Sequence, residues 1–366
     1  MQGVAVLGST GSIGTSTLNV LRRHPDRFRL VALTAGSNAT LLAEQIKEWQ
    51  PGFAGLVSGN GPACLLEAAR HPAADIVVNA VVGFAGLAAT LAALEAGKRV
   101  ALANKESLVV AGDLVGAAAR RGGGEVVPVD SEHSAVLQCL TGRGGATALR
   151  RLILTASGGP FRDWAPERVD EASVAEALNH PTWRMGNKIT VESATLANKA
   201  MEVIEAHHLF GLPYDRVEVV VHPQSIVHAL VEFSDGSVLG QLGFPSMELP
   251  ILYALTHPER VADDAVRPFD PVAAGALTFE PLRREVFRAY RAGIAAGRTG
   301  GTAPAAFNAA NEVAVSAFLA GRIAFGRIPE VIEEALDRQE IRPGDSLESI
   351  QAADRAARTL AEQLAA

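Results

Sequence analysis

The sequence predicts an α/β protein of more than one domain, with a parallel sheet in its first third. Its 366 residues exceed what a single ordinary core needs. Short apolar runs alternate with helical patterns up to about residue 148, as in a sheet with crossover helices. Beyond that point the alternation stops, and the rest of the chain follows different patterns.

The first domain is predicted over residues 1–148. Its first strand precedes a glycine-rich turn and a helical pattern that contains Leu18 and Leu21. Helical stretches then separate the strand-like runs, which lie at 30–35, 75–83, 99–104 and 125–130.

A central α+β domain is predicted over residues 149–256. It contains a strand, a short helix over 166–178, and a longer helix with Ser193 near its start and Gly211 just beyond its end. A strand pair follows, with a hairpin turn at Asp235-Gly236. A proline-rich linker over 257–280 precedes an all-helical C-terminal domain over 281–366.

Composition narrows the class of protein. A hydrophobic content of 48% and a charged content of 20% are typical of a soluble globular protein. The net charge of −7 and the lack of a basic stripe argue against nucleic acid as a partner. No targeting segment and no membrane span is recognisable, and Cys64 and Cys139 suggest neither a disulfide framework nor a thiolate metal site. We therefore expect a cytoplasmic enzyme with no membrane partner.

The motif "GSTGSIG", Gly8 to Gly14, lies between the first strand and the first helix. Glycines allow a tight turn, and free N–H groups at the start of a helix attract a pyrophosphate. The spacing is G-x-x-G-x-x-G rather than G-x-G-x-x-G, and a purely structural turn is the alternative. The surrounding strand-helix-strand pattern favours a dinucleotide site.

The end of the second strand indicates which dinucleotide is bound. An NAD enzyme usually has an acidic residue there for the ribose hydroxyls. Thr34 to Asn38 contain no carboxylate, which favours NADP, although they contain no arginine either.

Two polar segments follow later strands of the predicted sheet. Asn104, Lys105 and Glu106 come directly after the run at 99–104, where an open parallel sheet binds its ligands. A polar helix start would explain Glu106 equally well, but it does not require Lys105.

Asp130 and Glu132 follow the last strand of this domain. In an extended chain their side chains would point to the same side, and two charges about 4 Å apart repel by roughly 4 kcal/mol at an effective dielectric of 20. One interpretation is that the two carboxylates lie in a loop and are exposed to solvent. The other is a site for a hard cation, Mg²⁺ or Mn²⁺.

The helix "NKAMEVIEA" supports the metal interpretation. Asn198, Lys199, Glu202 and Glu205 recur at three- and four-residue spacing and share one face. The alternative interpretation is a row of solvated charges on the helix surface. However, the helix also has an apolar face that can pack against the protein, so the acidic face can line a cleft. Glu202 would then be a third carboxylate ligand.

Two further segments have the composition of a binding site. Ser157 with two following glycines resembles a backbone nest for an anion. The segment from His180 to Gly186 contains Pro, Trp and Gly and suggests a mobile lid. The alternative to a lid is that Trp183 belongs to the hydrophobic core. We interpret His207 and His208 as structural residues.

These motifs together resemble the 1-deoxy-D-xylulose 5-phosphate reductoisomerase family of the methylerythritol phosphate route to isoprenoids. The motifs that carry the resemblance are "GSTGSIG", "ANKESL", "DSEH", "ASGGPF", "NHPTWRMGNKITVESATLANKAMEVIEA" and "HPQSIVH", in that order over residues 8–228. The resemblance implies a homodimer with an NADPH-binding Rossmann-type domain, a central catalytic domain with a lid, and a C-terminal helical bundle.

The resemblance also assigns residues to sites. It implies that NADPH is held by Thr10, Gly11, Ser12, Ile13, Gly36, Ser37, Asn38, Asn104, Glu106 and Gly186. It implies that the metal ion is held by Asp130, Glu132 and Glu202. It implies that a phosphosugar substrate contacts Lys105, Ser131, Glu132, Ser157, His180, Trp183, Ser193, Asn198, Lys199 and Glu202. It assigns the catalytic roles to Lys105, Asp130, Glu132, His180 and Glu202.

Within the substrate site, Ser157, Ser193, Asn198 and Lys199 match the phosphate pocket of the family. Ser37 departs from the family, whose members often carry a basic residue at that position, and this weakens the expected preference for NADPH.

The implied reaction converts 1-deoxy-D-xylulose 5-phosphate to 2-C-methyl-D-erythritol 4-phosphate with NADPH and Mg²⁺ or Mn²⁺. A simple NADP-dependent dehydrogenase of a phosphorylated or carboxylated aldehyde is an alternative that would need no three-carboxylate site. A nucleotide-sensing module without catalysis is a second alternative.

Overall fold

The computed structural model describes residues 1–141 and 148–366. The chain divides into two compact units. The first unit contains Met1–Ser107, Leu114–Arg143 and Ser246–Pro268. The second unit contains Leu108–Asp113, Gly144–Pro245 and Phe269–Ala366.

The first unit is built on a six-stranded sheet in which every neighbouring pair is parallel. Its strands are β1 (Gln2–Leu7), β2 (Phe28–Ala35), β3 (Phe53–Leu56), β4 (Ile76–Asn79), β5 (Arg99–Leu102) and β6 (Glu125–Pro128). Their spatial order is β3-β2-β1-β4-β5-β6, so the direction of winding reverses beside β1. The predicted parallel sheet is confirmed, and ligands of such sheets bind where the order reverses.

Helices connect these strands, as the alternating pattern predicts. They are α1 (Ser12–Arg23), α2 (Ala39–Trp49), α3 (Val57–Asn60), α4 (Ala63–Ala69), α5 (Leu87–Glu95), α6 (Glu106–Gly122) and α7 (Ser131–Leu140). In α1, Leu18 and Leu21 are buried and contribute to the core of the unit, together with apolar residues of the sheet. The backbone of α6 departs from helical geometry at Ala111.

The second unit contains a mixed five-stranded sheet. Its strands are β7 (Leu149–Ala156), β8 (Val217–Val221), β9 (Val227–Phe233), β10 (Val238–Leu242) and β11 (Glu280–Pro281), in the order β10-β9-β7-β8-β11. β9 and β10 pair antiparallel across the turn at Asp235-Gly236, which confirms the predicted hairpin. β7 is parallel to β8 and antiparallel to β9, so this sheet differs in type from the first.

Four α-helices lie between β7 and β8, a stretch that the structure describes in full: α8 (Pro166–Val169), α9 (Val174–Ala177), α10 (Asn187–Ala194) and α11 (Ala197–Phe210). The single helix predicted over 166–178 is therefore wrong, and so is the helix predicted to begin near Ser193. The backbone of Leu196 is left-handed, with a φ of 57°, and breaks the second helix in two. Ser193 consequently lies near the end of α10.

The helix α12 (Glu248–Thr256) belongs to the first unit, although it follows the second sheet in the chain. Ile251, Leu252 and Leu255 lie in the hydrophobic core of that unit. The domain boundaries at 148, 256 and 280 remain predictions.

The C-terminal part of the second unit is helical, with α13 (Pro271–Ala274), α14 (Arg288–Thr299), α15 (Ala303–Leu319), α16 (Arg327–Arg338) and α17 (Leu347–Leu364). Within this group, α15 makes its most extensive contacts with α16 and α17. Within residues 1–141 and 148–366, no helix has the length and apolar character needed to cross a membrane.

We predict that Ile251→Ala lowers the free energy of unfolding by about 2–5 kcal/mol, because it leaves a cavity in the core of the first unit. Ile46→Ala on α2 is the matched control, since 37% of the Ile46 side chain is exposed. Chemical denaturation followed by circular dichroism measures both. Equal losses in the two variants would show that α12 adds little to this core.

Candidate active site

The glycine-rich turn at the end of β1 depends on two of its glycines. Gly8 has a φ of 82°, and a Cβ there would lie 2.6 Å from the carbonyl oxygen of Ala80. A Cβ on Gly14 would lie 2.3 Å from the carbonyl oxygen of Gly8. A side chain at Gly8 would therefore push the turn away from Ala80, and a side chain at Gly14 would push α1 away from the turn.

The predicted cofactor residues Thr10, Gly11, Ser12 and Ile13 lie in this turn and at the start of α1, and none of them is buried. Gly11 is the N-cap residue of α1, and no side chain accepts a hydrogen bond there. The helix thus begins with accessible backbone N–H groups at the positive end of its dipole. This arrangement fits a pyrophosphate.

The end of β2 is open, as a nucleotide site requires. Gly36, Ser37 and Asn38 are exposed, and a Cβ at Gly36 would meet nothing within 4 Å. Asn38 also has a structural role, because its Oδ1 accepts a hydrogen bond from the backbone N–H of Leu41 and caps α2.

Asn104 and Glu106 are buried, and they fix the loop that follows β4. The Asn104 amide donates to the carbonyl oxygens of Val81 and Gly83, each at 2.8 Å. The Glu106 carboxylate accepts from the N–H of Gly83 at 2.9 Å. Asn104 and Glu106 therefore have a structural role in this loop, besides their predicted contact with NADPH.

Asp130 and Glu132 do not lie in an extended chain, so the argument that their side chains point to the same side is wrong. β6 ends at Pro128, and Asp130 is the N-cap of α7, where its carboxylate accepts from the N–H of Ser131 at 3.0 Å. Glu132 lies in the first turn of this helix and accepts from the Ser131 hydroxyl at 2.5 Å. The helix start nevertheless brings carboxylate oxygens of Asp130 and Glu132 within 4.8 Å of each other.

A lysine provides positive charge beside this pair. Lys105, at the start of α6, forms an ion pair with Asp130, and both side chains are largely buried. His133 Nδ1 lies 3.9 Å from the same carboxylate. The predicted catalytic residues Lys105, Asp130 and Glu132 thus form one cluster in the first unit.

The turn after β7 has the left-handed backbone of an anion-binding nest. Gly158 and Gly159 have φ values of 83° and 68°, and the N–H of Gly159 donates to the Ser157 hydroxyl at 3.2 Å. A Cβ on Gly159 would lie 2.7 Å from the carbonyl oxygen of Ser193. The close approach at this glycine places the Ser157 turn next to the end of α10, where Ser193 lies.

His180 and Ser157 are hydrogen-bonded, with 2.9 Å between Nε2 and Oγ. His180 Nδ1 accepts from the backbone N–H groups of Thr182 and Trp183, at 3.2 and 2.9 Å. The ring proton must therefore be on Nε2, which donates to Ser157. The hydroxyl hydrogen of Ser157 is left to donate to a ligand.

The protonation state of His180 follows from its surroundings. Burial, with a smaller contribution from the Arg162 guanidinium, lowers the pKa of His180 to about 4. The imidazole is therefore neutral above about pH 5, in agreement with its hydrogen bonds.

The segment from His180 to Gly186 contains no helix or strand, as predicted, and Gly186 is the N-cap of α10. Trp183 is half-buried, and its ring lies 6.4 Å from that of His228. The roles of Trp183 and Gly186 in covering and binding ligands remain predictions.

Lys199 and Glu202 form a buried ion pair on α11, with exposed side-chain fractions of 5% and 2%. Lys199 Nζ also donates to the carbonyl oxygen of Thr155 at 2.6 Å, which fixes it at the end of β7. Asn198 donates to Glu202 as well. Because both charges are buried, a solvated charge ladder is excluded for this face.

Two histidines near this cluster were not predicted as site residues. His228 on β9 is buried, which lowers its pKa to about 4, and the charge of Lys199 contributes to this shift. His222 is fully buried, donates from Nδ1 to the carbonyl oxygen of Thr278 at 2.8 Å, and stacks on Phe279. A polar residue within the apolar strand "VHALVEF" was the available signal for His228.

Three family models match the chain. The model for 1-deoxy-D-xylulose 5-phosphate reductoisomerase matches residues 4–58 and 56–112. Its C-terminal domain model matches residues 126–210, and the model for the DXP reductoisomerase C-terminal domain matches residues 242–360. The protein belongs to the 1-deoxy-D-xylulose 5-phosphate reductoisomerase family.

Curated members of this reductoisomerase family are similar over the full length. The 1-deoxy-D-xylulose 5-phosphate reductoisomerase of Synechococcus sp. (strain JA-2-3B'a(2-13)) is 49% identical over 390 residues, covering 100% of this chain and 98% of the relative. That of Geobacillus kaustophilus (strain HTA426) is 49% identical over 381 residues, covering 100% of both chains.

Solved structures of the family share the fold. A crystal structure of DOX-P reductoisomerase in complex with NADPH, fosmidomycin and magnesium has a TM-score of 0.94 and 41% identity, covering 100% of this chain and 98% of that one. The reductoisomerase from Zymomonas mobilis in complex with NADPH has a TM-score of 0.90 and 40% identity, with the same coverage.

We predict that NMR of ¹⁵N-labelled protein shows His180 as the neutral Nε2–H tautomer from pH 6 to 8. The reason is that two backbone N–H groups occupy Nδ1 and burial disfavours the charged ring. Comparison with the spectrum of His180→Gln assigns the signal. Titration of this ring near pH 6.5, or a proton on Nδ1, would contradict the hydrogen-bond assignment.

Proposed function

We propose that this protein is an NADPH- and metal-dependent reductoisomerase that converts 1-deoxy-D-xylulose 5-phosphate to 2-C-methyl-D-erythritol 4-phosphate in isoprenoid precursor biosynthesis. The observation that carries the proposal is the position of Lys199, which pairs with the buried Glu202 and contacts the carbonyl oxygen of Thr155, two residues before Ser157. A cation, a hydroxyl donor and a carboxylate together suit a substrate that has both a phosphate and metal-binding oxygens.

The residues expected to hold NADPH all lie in the first unit, except Gly186. Its pyrophosphate lies at the start of α1, where Thr10, Gly11, Ser12 and Ile13 supply backbone N–H groups or line the turn. Its adenosine ribose lies at the end of β2, where the absence of a carboxylate leaves a 2′-phosphate unopposed and Ser37 donates a hydrogen bond. The remaining predicted contacts are Gly36, Asn38, Asn104, Glu106 and Gly186.

Asp130, Glu132 and Glu202 bind one Mg²⁺ or Mn²⁺ ion. Their donor atoms are all carboxylate oxygens, which hard divalent cations prefer, and no cysteine is among them. When bound, the ion polarises the substrate carbonyl and the neighbouring hydroxyl. The ion also removes the repulsion that three carboxylates would otherwise experience.

The phosphate binds to Lys199, Asn198, Ser193 and Ser157. Lys199 supplies the charge, and the neutral His180 directs the Ser157 hydroxyl hydrogen to the ligand by occupying the oxygen with its own N–H. Because His180 stays neutral, its protonation does not change the charge of this pocket near neutral pH.

Lys105 and Lys199 compensate the charge of two proposed metal ligands. Each lysine is paired with one of these carboxylates, Asp130 or Glu202. Both ammonium groups lie beside carboxylates that would hold the metal ion, where they could also contact the substrate. Ser131 and Glu132 contact the sugar, and Trp183 on the lid excludes water from the reacting carbon atoms.

The protein acts as a homodimer in the cytoplasm. The edge strand β10 supports a second copy as partner, because among residues 1–141 and 148–366 it pairs only with β9, and it exposes Val238 and Leu239. Cys64 and Cys139 are both free thiols, as is usual in a reducing compartment.

We predict that the purified protein oxidises NADPH when given 1-deoxy-D-xylulose 5-phosphate and Mg²⁺, and barely responds to the sugar without its phosphate. Lys199→Ala should lower kcat/KM by about one to three decades, because a charge-assisted contact to phosphate is lost. Lys47→Ala, on the exposed surface of α2, is the control and should stay within about twofold. Equal activity of the Lys199 and Lys47 variants would show that Lys199 does not bind the phosphate.

We predict that EDTA abolishes turnover and that Mg²⁺ or Mn²⁺ restores it. Glu202→Gln should weaken Mn²⁺ binding at least about tenfold, because a neutral amide replaces a charged oxygen ligand. Mn²⁺ binding is measured by electron paramagnetic resonance, independently of activity, with the exposed Glu44→Gln as control. Unchanged Mn²⁺ affinity in Glu202→Gln would exclude Glu202 as a ligand.

A further inference from the structure

A buried polar chain links α15 of the C-terminal helices to α10, outside the residues assigned to the site. Glu192 on α10 is 2% exposed and lies 2.6 Å from the ammonium of Lys188, one turn earlier on the same helix. The amide nitrogen of Asn311, on α15, donates to the same Glu192 oxygen at 2.6 Å. Asn311 itself is fully buried.

Packing alone does not explain these polar groups. The buried face of α15 is otherwise composed mostly of alanine, valine and phenylalanine, and an apolar residue in place of Asn311 would be compatible with such an interface. A buried carboxylate is costly unless it is paired and hydrogen-bonded. Glu192 and Asn311 therefore point to a requirement other than stability.

The place of Glu192 in the chain indicates that requirement. Ser193, the next residue, belongs to the proposed phosphate pocket, and Lys188 follows the lid residue Gly186 by two positions. The Lys188 contact lies within α10, whereas the Asn311 contact comes from another helix and restricts the rotation of α10 about its axis. The close approach of Gly159 to the carbonyl oxygen of Ser193 leaves little room for α10 to turn.

We propose that Asn311 is a positioning residue, which holds α10 through Glu192 so that Ser193 is directed at the substrate phosphate. The inference rests on the proposed function, because it assigns Ser193 to the phosphate pocket. An asparagine suits this role since it donates a hydrogen bond without adding a charge, and the Lys188–Glu192 pair stays neutral overall. A cation at position 311 would compete with the pocket for the phosphate.

Asn308 offers a matched control. It lies one turn earlier on α15 and is also fully buried, but its amide donates to Glu312 at 3.1 Å. Glu312 in turn pairs with Arg358 of α17 at 2.7 Å. Asn308 therefore resembles Asn311 in residue type, helix and burial, and differs in the group that it contacts.

The test compares Asn311→Leu with Asn308→Leu in the full-length protein. Both substitutions should lower the melting temperature, because each removes a buried hydrogen bond. Only Asn311→Leu should raise KM for 1-deoxy-D-xylulose 5-phosphate, by about tenfold, with kcat within about twofold, since a misplaced Ser193 weakens ground-state and transition-state binding alike. Only Asn311→Leu should accelerate amide hydrogen exchange over residues 187–194.

A second background separates positioning from general damage. In Glu192→Leu, the acceptor of the Asn311 amide is gone, so adding Asn311→Leu should raise KM by less than about twofold further. Additive effects of the two substitutions would overturn the inference.

The outcomes distinguish this inference from the proposed function. If the wild-type protein does not convert the phosphosugar, the proposed function fails and the role of Ser193 fails with it. If the wild type is active but the two leucine variants share the same KM or the same exchange rates over 187–194, only the positioning role of Asn311 is wrong.

Discussion

Charge compensation of buried carboxylates is the constraint on which the site depends. Lys105 pairs with Asp130 in the first unit, and Lys199 pairs with Glu202 in the second. A buried carboxylate is costly unless it is paired and hydrogen-bonded. Each lysine therefore compensates the charge of one proposed metal ligand. Few lysines occur in this arginine-rich chain, so their presence here is informative.

The sequence was sufficient to predict the parallel sheet and the hairpin, because both depend on local periodicity and turn residues. It was insufficient for Asp130 and Glu132, where the extended strand was assumed to continue. Asp130 instead caps α7, and the approach of the two carboxylates results from a helix start. The break at Leu196 was missed for a related reason, since a left-handed leucine has no signature in the sequence.

Long-range contacts account for the rest of what the sequence did not show. Lys199 could be placed on a helix face, but its contact with the carbonyl oxygen of Thr155 spans 44 residues of chain. The tautomer of His180 depends on two backbone N–H groups that no motif encodes. Asn311 left a faint signal, a polar residue within the largely apolar helix "APAAFNAANEVAVSAFL", but its partner on α10 is 119 residues away.

We propose that the site holds the substrate at two ends, by its phosphate and by its metal-binding oxygens, so that the carbon skeleton rearranges before it is reduced. The most direct test is ¹³C NMR of the product formed from ¹³C-labelled 1-deoxy-D-xylulose 5-phosphate with NADPH and Mg²⁺. We expect the branched skeleton of 2-C-methyl-D-erythritol 4-phosphate. An unbranched, reduced sugar phosphate would contradict it and would show that the protein reduces its substrate without rearranging it.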